Sequence, residues 1–514
     1  MQDFNVKNKK WWIAVIFCIW PFIYGCIFCA LQGSNIFEIY LPGGWISDEV
    51  SYYKQMEAML DYGMPQGNWG YNESFAKNLT FGGWVNVSYW PYLLLGKVLG
   101  WSFATPVICN IFFLTLGFFM FYLLVKPDVR QMVTILLLYS LVAYLERYVL
   151  SGMLEPLVMA MMIVTYALYI NIARKKSVWK LVILYLLISY MVFFRPYFAV
   201  LFLVPCFLAG EKKWKYSVPI SVILAVSTVM GYEYLAKNYC SPYIPATGIS
   251  QHSGIMTGSA YQLLKSVWHM IKNGTCGIVE QIKNGGCTYA SGYVVLMILS
   301  VLLFCNLISM LKDKDNNIYL IVWNIVVIFF YVSVLAAVIL LYDAQAGSRH
   351  AMQISILGLF TLGMNFNKCQ IKWTAATLVL LSGVLLIYFP GNNYPYHVPI
   401  KSDVMVDNSE LQQQLEDNLI QSEGITWENC IAFAAQEVDY NLAYFLPAWS
   451  GVQIVWNGYF VQTGIENMKS KYLLVGIESA TAELCEQSGA KVVFTSEENG
   501  FIIYENPRYE NGMN

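Results

Sequence analysis

The spacing of the apolar blocks constrains this chain more than any other feature. Stretches of about 20 apolar residues recur over residues 1–390, and a run of that length crosses the roughly 30 Å hydrocarbon core of a bilayer as a helix. Of the 514 residues, 57% are hydrophobic and 12% charged, with a mean hydropathy of +0.49. A soluble chain carries about twice that charged fraction. The fold class is therefore an α-helical polytopic membrane protein. Spans are expected near 11–32, 103–125, 131–147, 153–172, 178–194, 197–210, 217–236, 292–311, 318–341, 350–365 and 372–389, about eleven in all. A short helix near 88–100 suits the membrane surface. The apolar block after "NVKNKK" lacks a small-residue cleavage site and reads as a retained first helix.

Basic clusters orient the chain. "KNKK", "KPDVR", "ARKKSVWK", "EKKWK", "KDKDNN" and "NKCQIK" fall in alternate connections, and the positive-inside rule assigns these to the cytoplasm. An odd number of spans then places the amino terminus inside the cell membrane and the carboxy terminus outside. Three pieces should lie outside: loops 33–102 and 237–291, and a tail from 391 to 514. Beyond Lys401 acids outnumber bases roughly three to one, so the tail differs in charge from the membrane part. In the tail "CIAFAA", "KYLLVG", "KVVFTS" and "FIIYE" read as strands, and "NSELQQQLEDNLI" and "TAELCEQSG" as helices. The expected organisation is a transmembrane domain over 1–390 and an extracytoplasmic α/β domain over 391–514.

Twelve cysteines are scattered along the chain, many of them inside apolar blocks. Cys276 with Cys287, and Cys430 with Cys485, each share an outer piece where a disulfide could form, but spacing alone is weak evidence for one and free thiols are the ordinary reading. The four histidines lie far apart, so neither a metal-ligand cluster nor a cofactor is expected. No nucleic-acid partner is expected. Asn72, Asn78, Asn86 and Asn273 begin Asn-x-Ser/Thr triplets in outer loops, where a secretory pathway would attach glycans. "DKD" at Asp313–Asp315 matches a metal–nucleotide pattern of soluble glycosyltransferases, but reads as a solvated cytoplasmic turn.

The residues suited to chemistry cluster at the outer ends of helices. "SDEVSYYKQMEAML" opens with Asp48 and Glu49. Two acids in a first turn suit a well-capped surface helix. They also suit a general base at the depth where a lipid headgroup meets water. Tyr52 lies one turn after Asp48 and Tyr53 one turn after Glu49, and aromatic rings beside an acid suit a sugar.

"DEVSYYKQMEAMLDYG" resembles the acidic signature in the first outer loop of C-type (GT-C) glycosyltransferases, the clan of protein O-mannosyltransferases and aminoarabinose transferases. "RYVLSGMLEPLVMAMM", with Arg147 and Glu155, "FFRPYFAVLFLVP", with Arg195, and "AGSRHAMQISILGLF", with Arg349 and His350, resemble further segments of that family in the same order. The Lys-Pro-Pro segment of many members is missing; the corresponding "FGGWVNVSYWPYLLLGKVLG" has only Pro91. The resemblance implies an inverting, metal-independent transfer of a sugar from a polyprenyl-phosphate donor to an envelope glycan, lipid or protein. Asp48 would be the base, Glu49 and Glu155 its assistants, and Arg349 the group that steadies the leaving phosphate. Tyr52, Tyr53, Arg147, Arg195 and His350 would line the substrate site.

Each of these residues has a plainer role. Arg349 and His350 suit headgroup anchoring, Arg147 suits an ion pair with Glu146, and Glu155 before Pro156 suits a helix first turn. Three rival functions also fit a chain of this kind: a polysaccharide polymerase or ligase, a lipid-linked sugar flippase, and a sensor that binds a ligand through its tail. Against a transporter stand the lack of an internal repeat and the scarcity of charge inside the spans.

Overall fold

The structure of the protein, a computed structural model, describes residues 11–31, 35–38, 47–67, 69–74, 76–81, 87–142, 144–208, 214–240, 260–283, 287–312, 317–341, 344–365, 409–421 and 424–510. The chain folds as a helical, polytopic membrane protein followed by a small sheet unit. Its helices are α1 (Trp11–Cys18) and α2 (Trp20–Leu31), α3 (Ser47–Tyr62), α4 (Tyr89–Leu99), α5 (Thr105–Val125), α6 (Val129–Leu141) and α7 (Tyr144–Val149). There follow α8 (Glu155–Arg174), α9 (Val178–Phe194), a 3-10 turn (Pro196–Phe202), α10 (Leu203–Leu208), α11 (Trp214–Tyr239) and α12 (Ala260–Lys283). Then come α13 (Cys287–Lys312), α14 (Ile318–Leu341), α15 (Ala344–Met364) and, in the tail, α16 (Ser409–Asn418), α17 (Asn457–Thr463) and α18 (Ala480–Gln487).

Among the described residues, five helices are long and apolar enough to cross a membrane, within α5, α8, α11, α13 and α14. The pair α1–α2, bent by 67° at its break, is long and apolar enough only when its two halves are taken together. The remaining expected spans take other forms. The block 131–147 breaks at Val142, whose φ of −99° and ψ of 63° leave helical geometry. The block 197–210 begins within a 3-10 turn (Pro196–Phe202) and has Pro205 in α10, so one amide is missing from its ladder. The segment 372–389 lies outside the described residues, as does the Asp313–Asp315 turn.

Helix packing uses small residues and satisfied polar groups, as expected where lipid removes most of the hydrophobic drive for association. A Cβ on Gly117 of α5 would stand 3.1 Å from the Ala160 backbone of α8. Tyr166 of α8 stacks on Trp323 of α14 at 4.4 Å, and the Trp323 indole N–H donates to Thr361 of α15 at 2.8 Å. α15 is the central helix, with every residue from His350 to Met364 buried.

Within the segment 237–291, expected as an outer loop, α11 continues to Tyr239 and α12 forms a 24-residue helix. Its apolar residues recur at helical spacing, a pattern obscured by two glycines.

The tail holds the expected strands: β2 (Cys430–Ala434), β4 (Tyr472–Gly476), β5 (Lys491–Ser496) and β6 (Phe501–Glu505). Two more strands complete the sheet. One is β3 (Gly451–Val455); the other, β1 (Trp69–Tyr71), comes from the first outer loop. The order is β1-β3-β2-β4-β6-β5, parallel from β1 to β4 and antiparallel from β4 to β5. Alternation sends Ala432 and Ala434 towards α17 and α18. Ile431 and Phe433 point the other way and join the core that includes α3.

The first loop is fastened to the tail at several points. Glu73 is fully buried and accepts from the backbone N–H groups of Lys469 (2.8 Å) and Ser470 (2.6 Å) and from the Tyr459 hydroxyl (3.4 Å). The Lys469 ammonium donates to the Glu73 carbonyl at 2.9 Å. Asn78 accepts from the Ile425 N–H at 2.5 Å, and Asn72 from the Trp456 N–H at 3.5 Å. These two asparagines therefore carry structural bonds through their side-chain oxygens. Cys430, Cys485 and Cys276 are free thiols, so neither the Cys430–Cys485 nor the Cys276–Cys287 disulfide is formed.

Candidate functional site

The helix that carries the acidic pair is not a surface helix. Val50, Tyr52, Tyr53, Met56 and Met59 are buried, and so are Glu49, Ser51, Lys54 and Gln55 around the other sides. An amphipathic segment buried on all faces must find partners for its polar groups. Lys54 donates to Glu57 and to the Leu446 carbonyl of the tail. Tyr53 stacks on Trp101 at 5.3 Å and meets Tyr444 of the tail edge-on at 5.3 Å. The helix is thus wedged between the membrane bundle and the sheet unit.

Its first turn opens onto a cluster of charges. Asp48 forms an ion pair with Arg349, donated by the guanidinium Nη1. The Arg349 Nε lies 3.9 Å from Oε1 of Glu155. Asp48 and Arg349 are separated by 301 positions in sequence, and Glu155 comes from a third element. The side chains of Asp48, Arg349 and Glu155 are 24%, 11% and 1% exposed, so the cluster opens towards Asp48 and closes towards Glu155. Arg349 Nε and Glu155 Oε2 are buried and have no hydrogen-bond partner among the described residues. Each such group costs about 1–3 kcal/mol, a cost that a bound polar ligand would remove.

Two devices hold this geometry. Arg349 sits in the second turn of α15, not before the helix, so its stem is fixed by helical packing. Glu155 opens α8, and the turn ahead of it is tied to α5. The Asn110 amide donates to the carbonyls of Ser151 (2.8 Å), Met153 (3.0 Å) and Tyr148 (3.3 Å), and accepts from the Tyr92 hydroxyl at 2.5 Å. Glu49 accepts from the Gly152 N–H of the same turn at 3.3 Å. Its carboxylate therefore braces the turn that presents Glu155.

Tyr52 shares the face of Asp48. Burial holds its phenol far above the ordinary range; Asp48 raises it further, Arg349 opposes, Glu155 raises it and Arg195 opposes. It stays protonated as a hydrogen-bond donor. Its ring meets Tyr89 edge-on at 6.0 Å. Tyr53 faces Trp101 and the tail instead and does not join the charge cluster. Arg195 is buried at the end of α9. His350 points towards Tyr197, whose hydroxyl lies 3.1 Å from Nδ1, and Gln353 donates to the same hydroxyl. Arg147 belongs to α7, but its side chain lies outside the described residues. Its neighbour Glu146 is buried and accepts from the Tyr139 hydroxyl at 3.1 Å.

Sequence reasoning missed Lys54, Asn110, Tyr197, Gln353 and Glu73. Asn110, a lone amide in an apolar block, was the one readable signal. Among the described residues, no three His, Cys, Asp or Glu side chains gather as metal ligands.

No protein-family model and no curated protein matches the chain. Among solved structures it is similar to ArnT from Cupriavidus metallidurans. The form bound to undecaprenyl phosphate has a TM-score of 0.43 and 11% identity over 96% of this chain and 97% of that one. The apo form has a TM-score of 0.41 and 10% identity over 97% and 99%.

Proposed function

We propose that the protein is an integral-membrane glycosyltransferase of the C-type that moves a sugar from a polyprenyl-phosphate donor to an acceptor hydroxyl outside the cytoplasm. The observation that carries this reading is the convergence of Asp48, Glu155 and Arg349 at the mouth of the helical bundle. One guanidinium joins two carboxylates there, with buried hydrogen-bonding capacity unused. That set supplies an acid–base group and an anion-binding group within one side chain's reach of each other.

In this reading a donor phosphate competes for Arg349. Its oxygens bind the guanidinium fork and draw it from Asp48, which frees the Asp48 carboxylate as base. Asp48 takes the proton of the acceptor hydroxyl as the oxygen attacks the anomeric carbon. The new C–O bond forms, the bond to the phosphate oxygen breaks, and the configuration inverts. Polyprenyl phosphate leaves with the electron pair, stabilised by Arg349. Glu155 keeps Arg349 aligned, and Tyr52 donates to the sugar. Arg195 and His350 add positive charge and polar contacts on the inner side. Glu49 and Tyr53 support the helix and do not touch substrate. The acceptor is an envelope glycan, lipid or protein.

The test is product analysis of the purified protein given a panel of polyprenyl-phosphate sugars and candidate acceptors. Transfer with release of polyprenyl phosphate supports the reading. A donor that crosses vesicle membranes unchanged identifies a flippase instead, and donors left intact under all conditions remove the enzyme reading.

A further inference from the structure

We propose that α12 lies flat on the membrane surface at the level of the Asp48–Arg349 cluster, held there by acidic phospholipid headgroups. The helix presents three faces. At 3.6 residues per turn, Gly274 and Ile278 point to the bundle. Ile278 is buried, and a Cβ on Gly274 would stand 2.4 Å from the Ile339 carbonyl. Ile339 lies at the end of a membrane-crossing helix, Ile318–Leu340. This contact fixes the depth of α12: it crosses α14 where that span leaves the hydrocarbon, five residues before α15 begins.

On the second face Trp268, Ile271, Thr275 and Val279 fall within a sector of about 80°. Trp268 is 64% exposed, Val279 41% and Ile271 40%, and nothing in the chain covers them among the described residues. On the third face Lys265, Lys272, Lys283, His269, Asn273 and Glu280 are all exposed. The lysines stand at its edge nearest Trp268. Three lysines against Glu280 leave a net charge of +2 with His269 neutral. Bundle contact on one side, an apolar flank below and a lysine rim above form the pattern of an interfacial helix. The depth fixed by Gly274 aims the apolar flank at lipid, and the lysines reach phosphates from the rim.

The experiment uses the full-length protein with Cys276→Ser and a single environment-sensitive label at Val279→Cys, Ile271→Cys or Asn273→Cys. Cys276→Ser alone corrects for labelling elsewhere. Proteoliposomes contain phosphatidylcholine with or without phosphatidylglycerol, with bromine on the acyl chains. Labels at 279 and 271 should be quenched and the label at 273 should not. Each lysine near an anionic surface favours the bound helix about fivefold, so Lys265→Gln with Lys272→Gln and Lys283→Gln should abolish the gain given by phosphatidylglycerol. Equal, weak quenching at 279, 271 and 273 would overturn the proposal. So would shielding of 279 and 271 that follows protein concentration and not lipid, which would mark a second copy as the occupant. The readout is independent of any transfer activity.

Discussion

Replacing Glu73 tests how the acidic helix is held in place. This carboxylate is fully buried and accepts two short backbone hydrogen bonds, from Lys469 and Ser470, and a longer one from Tyr459. Glu73→Ala leaves two buried N–H groups without partners and removes charge-assisted bonds, a loss of about 3–5 kcal/mol in the local stability of the clamp. Residue 73 also has a left-handed φ of 52°. A side chain there costs roughly 1–2 kcal/mol, so Glu73→Gly should be milder than Glu73→Ala by about 1 kcal/mol. The assay is native-state amide exchange on the peptides 69–74 and 467–471. A loss of 3 kcal/mol accelerates exchange about 100-fold where local opening governs it. Amides in Thr105–Val125 serve as the unaffected control. Wild-type exchange in the Ala variant, or an order in which Gly is worse than Ala, would refute the reasoning.

Other outcomes follow from the same packing. Burial, with Glu437 and Glu486 adding to it, pushes the Cys485 thiol up to about 12, and burial raises Cys430 further, whereas Cys276 is exposed. Maleimide at neutral pH should therefore modify Cys276 and spare the other two until the tail is unfolded. Asn110→Leu should destabilise the turn before Glu155 by about 2–4 kcal/mol, because three backbone carbonyls and Tyr92 lose one shared partner; it should be read by exchange over 148–154. Arg349→Met should weaken donor binding by about tenfold to a hundredfold, and Arg349→Lys by less, measured as KM for the donor.

The sequence disclosed what periodicity and composition carry. Apolar blocks gave the membrane class, and short β-branched runs gave four of the five strands of the tail. β3, "GVQIV", was overlooked because a glycine and a glutamine blur its pattern. β1, "WGY", was beyond reach: three residues carry no alternation, and their partner Val452 lies 383 positions away. The extent of membrane crossing was harder to read, since proline and local breaks shorten α6 and α10 without changing their hydropathy, whereas α9 keeps the expected 178–194. For the site, residue types pointed to Asp48, Glu155 and Arg349 singly. Their meeting depends on the packing of α3, α8 and α15, which no spacing in the chain records. The same limit hid Lys54, which looks like an ordinary solvated lysine until the tail covers it. Tyr53 shows the reverse: a promising neighbour of an acid turns out to serve packing.

The central claim is that Asp48 is the base and that the donor phosphate competes with it for Arg349. Single-turnover transfer by Asp48→Asn, with donor binding measured in parallel, tests it most directly. A lost general base lowers the chemical step about 10²- to 10⁴-fold. Donor affinity should hold or rise, because Arg349 no longer has a carboxylate to leave. Transfer at the wild-type rate by Asp48→Asn, or a loss of rate explained wholly by weaker donor binding, would contradict the account.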